Sequence, residues 1–275
     1  AVACASADDT AADASAAAER IGRLAALPGM TPEILADAAL FLPVPRDEVA
    51  SLPLRALSIK LYRNSKRLES ILPFLVAAMD EAGRESLPER SYPEAAIAGF
   101  ADLVFEDGTV WPLGGKSLSL SLETAEKIVA IRPEHQLYTL HALTVENKEN
   151  FHAFARSAGT NRTLVVATGG RPNRAVRAIL HLLASCGWST RHAGDLDPDG
   201  IAILGEVHRI CGAMPLMMDT ETFDRYAAYA KPLPESILRR LAYLGADVVD
   251  LPGIAALVQR IAESGMSVEQ EIIEY

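Results

Sequence analysis

Along the second half of the chain, short apolar runs alternate with helix-length amphipathic segments. Residues 141–145 read as a strand, 148–156 as a helix, 163–168 as a second strand and 174–185 as a second helix. Residues 188–193, running on to Asp195, read as a third strand, 201–210 as a third helix and 214–218 as a fourth strand. This alternation predicts right-handed crossover units and a parallel sheet covered by helices on both faces. From 221 to 275 the pattern is helical, with breaks at Pro232, Pro234 and Pro252-Gly253.

The first half reads differently. Residues 10–27 form an Ala-rich amphipathic stretch that is expected to be helical, with the first 25 residues or so weakly anchored. A helix is predicted over 31–42, with Thr31 as N-cap and Pro32 in its first turn, and another from a cap at Asn64 or Ser65 to about Ala82. V-F-E-D-G-T-V-W places two β-prone triplets around Asp107-Gly108 and predicts a hairpin over 103–111. S-L-S-L-S-L at 117–122 alternates like a half-buried strand, and 124–131 looks helical. The expected organisation is a mixed helical and hairpin domain over 1–135, then an α/β domain with a helical C-terminal extension over 136–275.

Composition narrows the class. Of 275 residues, 49% are apolar and 23% charged, which is ordinary for a globular protein, and no apolar stretch is long enough for a membrane helix. Cys4, Cys186 and Cys211 lack C-x-x-C spacing, so they are read as reduced thiols of a cytoplasmic protein rather than a zinc site or disulfide framework. The first residues lack a secretory pattern, and with no initiating Met residue 1 is expected not to be the native start. The net charge of −10 counts against extensive unaided nucleic-acid binding, so a DNA substrate would need a local basic stripe, a metal or a partner.

Three blocks at the predicted strand ends carry candidate chemistry. Glu146 closes the first strand in V-E-N-K-E-N-F (145–151), T-G-G-R-P-N-R-A-V-R (168–177) follows the second, and G-D-L-D-P-D-G (194–200) follows the third. Ligands of such sheets bind beyond the carboxyl ends of the strands, so these remote segments are expected to converge on one edge. If Asp195 and Asp197 continue the strand, its two-residue period sets both carboxylates on one side. Oxygen ligands of this kind suit Mg²⁺ (or Mn²⁺), which takes one or two carboxylates and keeps several waters. Glu146 is either a further ligand or the acid/base that moves a proton during phosphodiester cleavage. A capping and turn cluster is the alternative for the aspartates.

Gly169 and Gly170 permit close backbone approach, and Asn173 can cap a helix whose amino end attracts anions. Arg171, Arg174 and Arg177 add positive charge there, which points to phosphate positioning; a βα turn with solvated arginines is the alternative. Lys148 and His192 are further candidates for DNA or phosphate contact, His192 being equally readable as a packed strand histidine.

In order and spacing the three blocks resemble the Toprim core shared by topoisomerases, primases and certain nucleases. The likeness is greatest to the topoisomerase VI A subunit and to the JetD-type nuclease subunits of the Wadjet plasmid-defence system. It covers about 140–219, and a JetD-like pattern continues through P-L-M-M-D-T-E-T-F (215–223) to E-Q-E at 269–271. N-S-K-R-L-E (64–69) and S-L-S-L-E (119–123) are similar to amino-terminal segments of the same family. The full amino-terminal half of that family is not seen, so a shortened member or a fragment is expected.

The resemblance implies a Toprim-like parallel sheet flanked by helices. It also implies a metal-dependent DNA endonuclease acting with a condensin-like SMC complex in the cytoplasm, in the form of a homodimer. By the same carry-over Glu146, Asp195 and Asp197 are catalytic, and Asp199 joins them as a metal ligand. Whether Glu269 and Glu271 help the metal site or close the fold is open. Topoisomerase VI A subunits attack DNA with a tyrosine in an R-x-x-Y context. Of the upstream tyrosines here, Tyr62, Tyr92 and Tyr138, even Leu-Tyr62-Arg is a poor match, so water is the expected attacker.

Two rivals stand beside this reading. One is a non-catalytic DNA-binding or interaction subunit that keeps the fold. The other is a calcium loop, because Asp195 to Glu206 fits D-x-D-x-D-G-x₅-E. A calcium loop requires a helix over 185–194, whereas the β-prone W-S-T-R-H-A-G predicts a strand.

Overall fold

The computed structural model describes residues 19–27, 29–45, 48–49, 52–79, 87–88, 92–134, 140–161 and 163–274. Cys4, Tyr138, the start of the stretch at 10–27 and the expected helix end near Ala82 lie outside them. The chain divides into two compact units, Ala1–Tyr92 and Pro93–Tyr275.

The first unit is helical. Helix α1 (Pro32–Phe41) starts as the sequence predicts, with Thr31 Oγ1 accepting the amide hydrogen of Ile34 at 3.2 Å. Helix α2 (Leu54–Tyr62), which the apolar pattern did not announce, stops at Arg63 in the left-handed region. Helix α3 (Arg67–Ala78) follows, and Leu57, Leu68, Ile71 and Leu75 form the buried centre of the unit. The Ser58 hydroxyl donates to Asn64 O (2.5 Å) and accepts from Leu68 N (3.0 Å), so one side chain ties the turn between α2 and α3 to both helices.

The second unit contains two sheets and a small ribbon. Strands β1 (Glu94–Ala98), β2 (Ala101–Phe105), β3 (Val110–Pro112), β4 (Ser117–Ser121) and β5 (Ile128–Pro133) precede the α/β alternation. Strands β6 (His141–Val145), β7 (Leu164–Ala167), β8 (Ser189–Ala193) and β9 (Met214–Pro215) alternate with α4 (Lys148–Asn161), α5 (Arg174–Ser185) and α6 (Pro198–Cys211). The larger sheet has the order β4-β1-β7-β6-β8-β9. Strands β6 to β9 are parallel, as expected, but β1 runs antiparallel to both β4 and β7. The sheet is therefore mixed, and it draws strands from before residue 135 into the same unit. For that reason the division falls at 92/93 rather than near 135.

Strands β3-β2-β5 form a separate three-stranded sheet. Its hairpin turns where the Asp107-Gly108 signal placed it, with Asp107 Oδ1 accepting from Thr109 N at 2.8 Å. The expected helix over 124–131 is instead one helical turn, Leu122–Ala125, followed by β5. Ile128, Val129 and Ile131 are β-branched, and pairing with β2 outweighs the helix formers before them. Beyond β9 the chain makes a short helix α7 (Thr220–Arg225), several single turns and α8 (Ile254–Ser264). Strands β10 (Lys231–Pro232) and β11 (Met266–Ser267) form the ribbon that closes the unit. Among the described residues no helix is long and apolar enough to cross a membrane.

Candidate active site

The central parallel strands end in register, with Val145 opposite both Ala167 and Ala193. Beyond that line the ladder continues for one more step on each side. The Glu146 amide donates to Ala193 O (3.0 Å), and Glu146 O accepts from Gly169 N (3.0 Å). Three segments distant in sequence thus meet through Glu146, the residue at the end of the middle strand. Gly169 and Gly170, with φ of 66° and 88°, turn the chain away at the end of β7.

The carboxylate of Glu146 reaches across to the next strand end, where Oε2 accepts from Asp195 N at 3.2 Å. Burial pushes the Glu146 carboxyl up to about 7, and the neighbouring Asp195 charge adds to the rise. Burial also raises Asp195 to about 6, helped by the charge of Asp197 and opposed by a hydrogen bond from the Gln270 amide. Two acids are therefore held together, both largely short of solvent and with the charge of Asp195 adding to the rise of Glu146.

Gly194 makes that pairing possible. A methyl group there would lie 2.9 Å from Glu146 Oε2 and 3.1 Å from His192 Nε2, closer than a real side chain tolerates. The same two distances show that the ring nitrogen and the carboxylate face one small space. His192 is fully buried, and the Thr144 hydroxyl donates to Arg191 O (3.1 Å) while lying 2.8 Å from His192 Nδ1. With its one hydrogen spent on Arg191, Thr144 accepts from Nδ1–H, which assigns the neutral tautomer with a lone pair on Nε2. That nitrogen has no partner among the described residues, and burial lowers the imidazole to about 3. His192 is thus a packed strand residue whose free ring nitrogen lies beside Gly194, as the Glu146 carboxylate does.

The other aspartates are engaged differently. Strand β8 ends at Ala193, and Leu196 forms an isolated antiparallel bridge with Val268, so the two-residue alternation expected through Asp197 does not continue. Asp197 is the N-cap of α6, its Oδ1 accepting from Gly200 N at 2.7 Å, although burial still raises its carboxyl. Both oxygens of Asp199 accept from Arg240 Nη1, at 2.7 and 2.5 Å. Among the described residues no three His, Cys, Asp or Glu side chains stand at metal-ligating spacing. What converges is the pair Glu146 and Asp195, with Asp197 one turn away.

The arginine block also has partners within the fold. Asn173 caps α5 as expected, its Oδ1 accepting from Val176 N at 3.1 Å. Glu206, only 12% exposed in its side chain, takes Arg177 at 2.7 Å and Arg171 at 3.3 Å, while Arg174 pairs with Glu126 at 3.4 Å. Glu206 faces these arginines from α6, and 189–193 is a strand, so the calcium-loop reading is excluded on both counts. Lys148 opens α4 beside Gly169, its Cε 3.8 Å from where a side chain on that glycine would begin. Tyr62, in the first unit, donates its hydroxyl to Asp37 O at 2.7 Å, and burial pushes the phenol further up, away from phenolate.

Sequence reasoning missed Gln270. It is fully buried and hydrogen-bonds to the strand ends that carry Glu146 and Asp195. The only signal was the E-Q-E triplet, in which the two charged residues drew notice and the amide between them makes most of the contacts.

Fold and site together define a mixed α/β protein that sets a half-buried acidic pair at the carboxyl edge of its parallel strands. The family described as Wadjet protein JetD, C-terminal, matches residues 115–275, and the chain belongs to that family. No curated protein matches the chain.

Proposed function

We propose that this protein is the metal-dependent DNA endonuclease subunit of a Wadjet-type anti-plasmid system, cutting phosphodiester bonds by hydrolysis while a condensin-like SMC complex presents the DNA. The observation that carries the reading is the pairing of Glu146 and Asp195 at adjacent parallel strand ends. Two half-buried acids whose values are raised to about 7 and about 6 are costly to ionise together unless a cation joins them. A pair of carboxylates is what Mg²⁺ or Mn²⁺ asks of a protein when phosphate oxygens and waters complete its shell. The residues thus fit the metal, with Asp195 and Glu146 holding it and Asp197 near enough to add charge. When bound, such a cation supplies positive charge to the phosphoryl oxygens. Where Asp195 rather than Glu146 holds the cation, the Glu146 carboxylate is the group placed to accept a proton from the attacking water. The phenol of Tyr62 is held as a hydrogen-bond donor, which favours water over tyrosine as nucleophile. A Toprim-type site, a homodimer and a cytoplasmic setting belong to the same reading.

Plasmid cleavage by the assembled complex in Mg²⁺ provides the test. Glu146→Gln and Asp195→Asn are each expected to reduce it by at least about a hundredfold, the scale of a lost acid/base group. Cleavage at the wild-type rate in either variant would overturn the assignment. One observation favours the non-catalytic interaction subunit: Asp197 and Asp199 are engaged as cap and ion pair rather than turned toward Glu146. An inactive complete wild-type complex with undiminished DNA binding would decide for that reading.

A further inference from the structure

The segment 266–273 lies along the end of β8. Leu196 N donates to Val268 O at 2.9 Å, and Val268 N donates back to Leu196 O at 3.4 Å. Two residues on, the Gln270 amide donates to Asp195 Oδ1 at 2.7 Å. Its side chain then spans the two strand ends, with Nε2 donating to Ala193 O (2.9 Å) and Oε1 accepting from Asn147 N (2.9 Å). Glu271 accepts from Asn147 Nδ2, and Asn147 Oδ1 in turn accepts from Glu149 N at 2.7 Å in the first turn of α4. The carbonyl of Ala193 already accepts from Glu146 N, so the Gln270 side-chain nitrogen shares the oxygen that sets the backbone of Glu146.

From these contacts we infer that Gln270 is the positioning residue of the acidic site: its side chain joins the ends of β6 and β8, and by anchoring the segment there it keeps the Gln270 backbone amide on Asp195 Oδ1. Both polar atoms of the Gln270 side chain are engaged. An amide is the group this place demands, because one neighbour is a carbonyl and the other an N–H. A glutamate would face the Ala193 carbonyl with an acceptor, and an alanine would leave the part-buried Asn147 N–H without its partner and the Ala193 carbonyl with only its bond from Glu146. A ligand atom displaced by about 1 Å loses much of its value to a metal that demands near-ideal geometry. The inference rests on the metal-dependent reading above and names what sets the geometry of that site.

Calorimetric Mn²⁺ binding by the full chain, with thermal unfolding in EDTA on the same samples, tests it. The variants are Gln270→Ala, Gln270→Glu and Val268→Ala. Val268 is fully buried in the same segment and touches the site only through its backbone, so its truncation reports the cost of loosening the segment alone. Gln270→Ala and Gln270→Glu are expected to melt cooperatively and to bind Mn²⁺ at least about tenfold more weakly, while Val268→Ala lowers the melting temperature and binds as wild type does. Affinity within twofold of wild type in a cooperatively melting Gln270 variant overturns the inference. So does an equal loss of affinity in Val268→Ala, which would make the effect one of packing. A wild-type chain that binds no Mn²⁺ overturns the metal-dependent reading instead, so the two failures are distinguishable.

Discussion

The two βα turns that flank β6 at its carboxyl end both attracted notice as sequence, and in the fold they differ in how their charge is met. After β7, Arg171 and Arg177 share Glu206 and Arg174 reaches Glu126, so the three arginines are met by two glutamates from neighbouring elements. After β8 and β6, Asp195 and Glu146 lie side by side, and among the described residues no Lys or Arg pairs with either. The arginines neutralise charge inside the fold, whereas the acids concentrate it and keep it from water. Placing like charges together costs stability that a purely structural role would not require, and the proposed site rests on the acidic edge for that reason.

The largest effect that would break the contrast comes from crowding the acidic edge. Gly194→Ala introduces a methyl group about 3 Å from both the Glu146 carboxylate and His192 Nε2. Overpacking of this kind costs about 1–3 kcal/mol. The carboxylate has to swing away, so Mn²⁺ affinity is expected to fall more than tenfold. A Gly194→Ala protein that binds Mn²⁺ as wild type does would show that Glu146 is not held where the site needs it.

A second prediction uses protons. Glu146 and Asp195 have folded-state values, about 7 and about 6, above those of ordinary carboxyls, so the folded chain keeps protons that the unfolded chain releases. Their contribution is fully present below the unfolded carboxyl range and is lost as pH rises through about 7. His192 works in the opposite sense: its value, lowered to about 3, costs stability only as pH falls below the ordinary imidazole range. In EDTA, Glu146→Gln should therefore be more stable than wild type at pH 8, by on the order of 2 kcal/mol, with the gap closing by about pH 5. Urea unfolding at the two pH values measures it, and a gap that does not change with pH would mean that Glu146 is ordinary.

Much of this arrangement could be read from the chain, and the parts that could not share a cause. Strands β6 and β7 announce themselves because both faces are covered, giving runs such as Leu164–Ala167 with every residue buried, and β8 shows through its β-prone residues. Helices α1, α5 and α6 begin at side chains that cap them, Thr31, Asn173 and Asp197, and the hairpin turns at Asp107-Gly108. Strand β1, E-A-A-I-A, carries no local strand signal; it is a strand because β4 and β7 supply partners on both sides. Glu146 and Asp195 were legible from their place at strand ends. Gln270 was not, since its bond to Asp195 spans 75 positions and nothing near it in sequence marks it. For Asp197 the chain offered both a ligand and a cap, and local pattern did not choose between them, because the choice turns on β8 stopping at Ala193, where the bridge from Leu196 to Val268 redirects the chain.

The smallest effect sharpens the contrast from the other side. If the arginine turn is internally neutralised, removing Arg177 should be felt by the fold before it is felt by DNA. Glu206 is only 12% exposed in its side chain and would keep just the longer 3.3 Å contact with Arg171. Losing one charge-assisted hydrogen bond of this kind costs about 1–2 kcal/mol. Arg177→Met keeps the apolar stem that packs along α5 and removes the charge. The expected outcome is a lower unfolding midpoint with little change in the salt dependence of DNA binding by the assembled complex. Restoring neutrality with Glu206→Gln in the same chain should recover part of the loss, because no buried acid is then left short of a partner. A salt slope reduced by about one ion in Arg177→Met would mean that this arginine releases a counterion from DNA. The turn after β7 would then be a phosphate contact, and charge met within the fold would no longer separate the two edges.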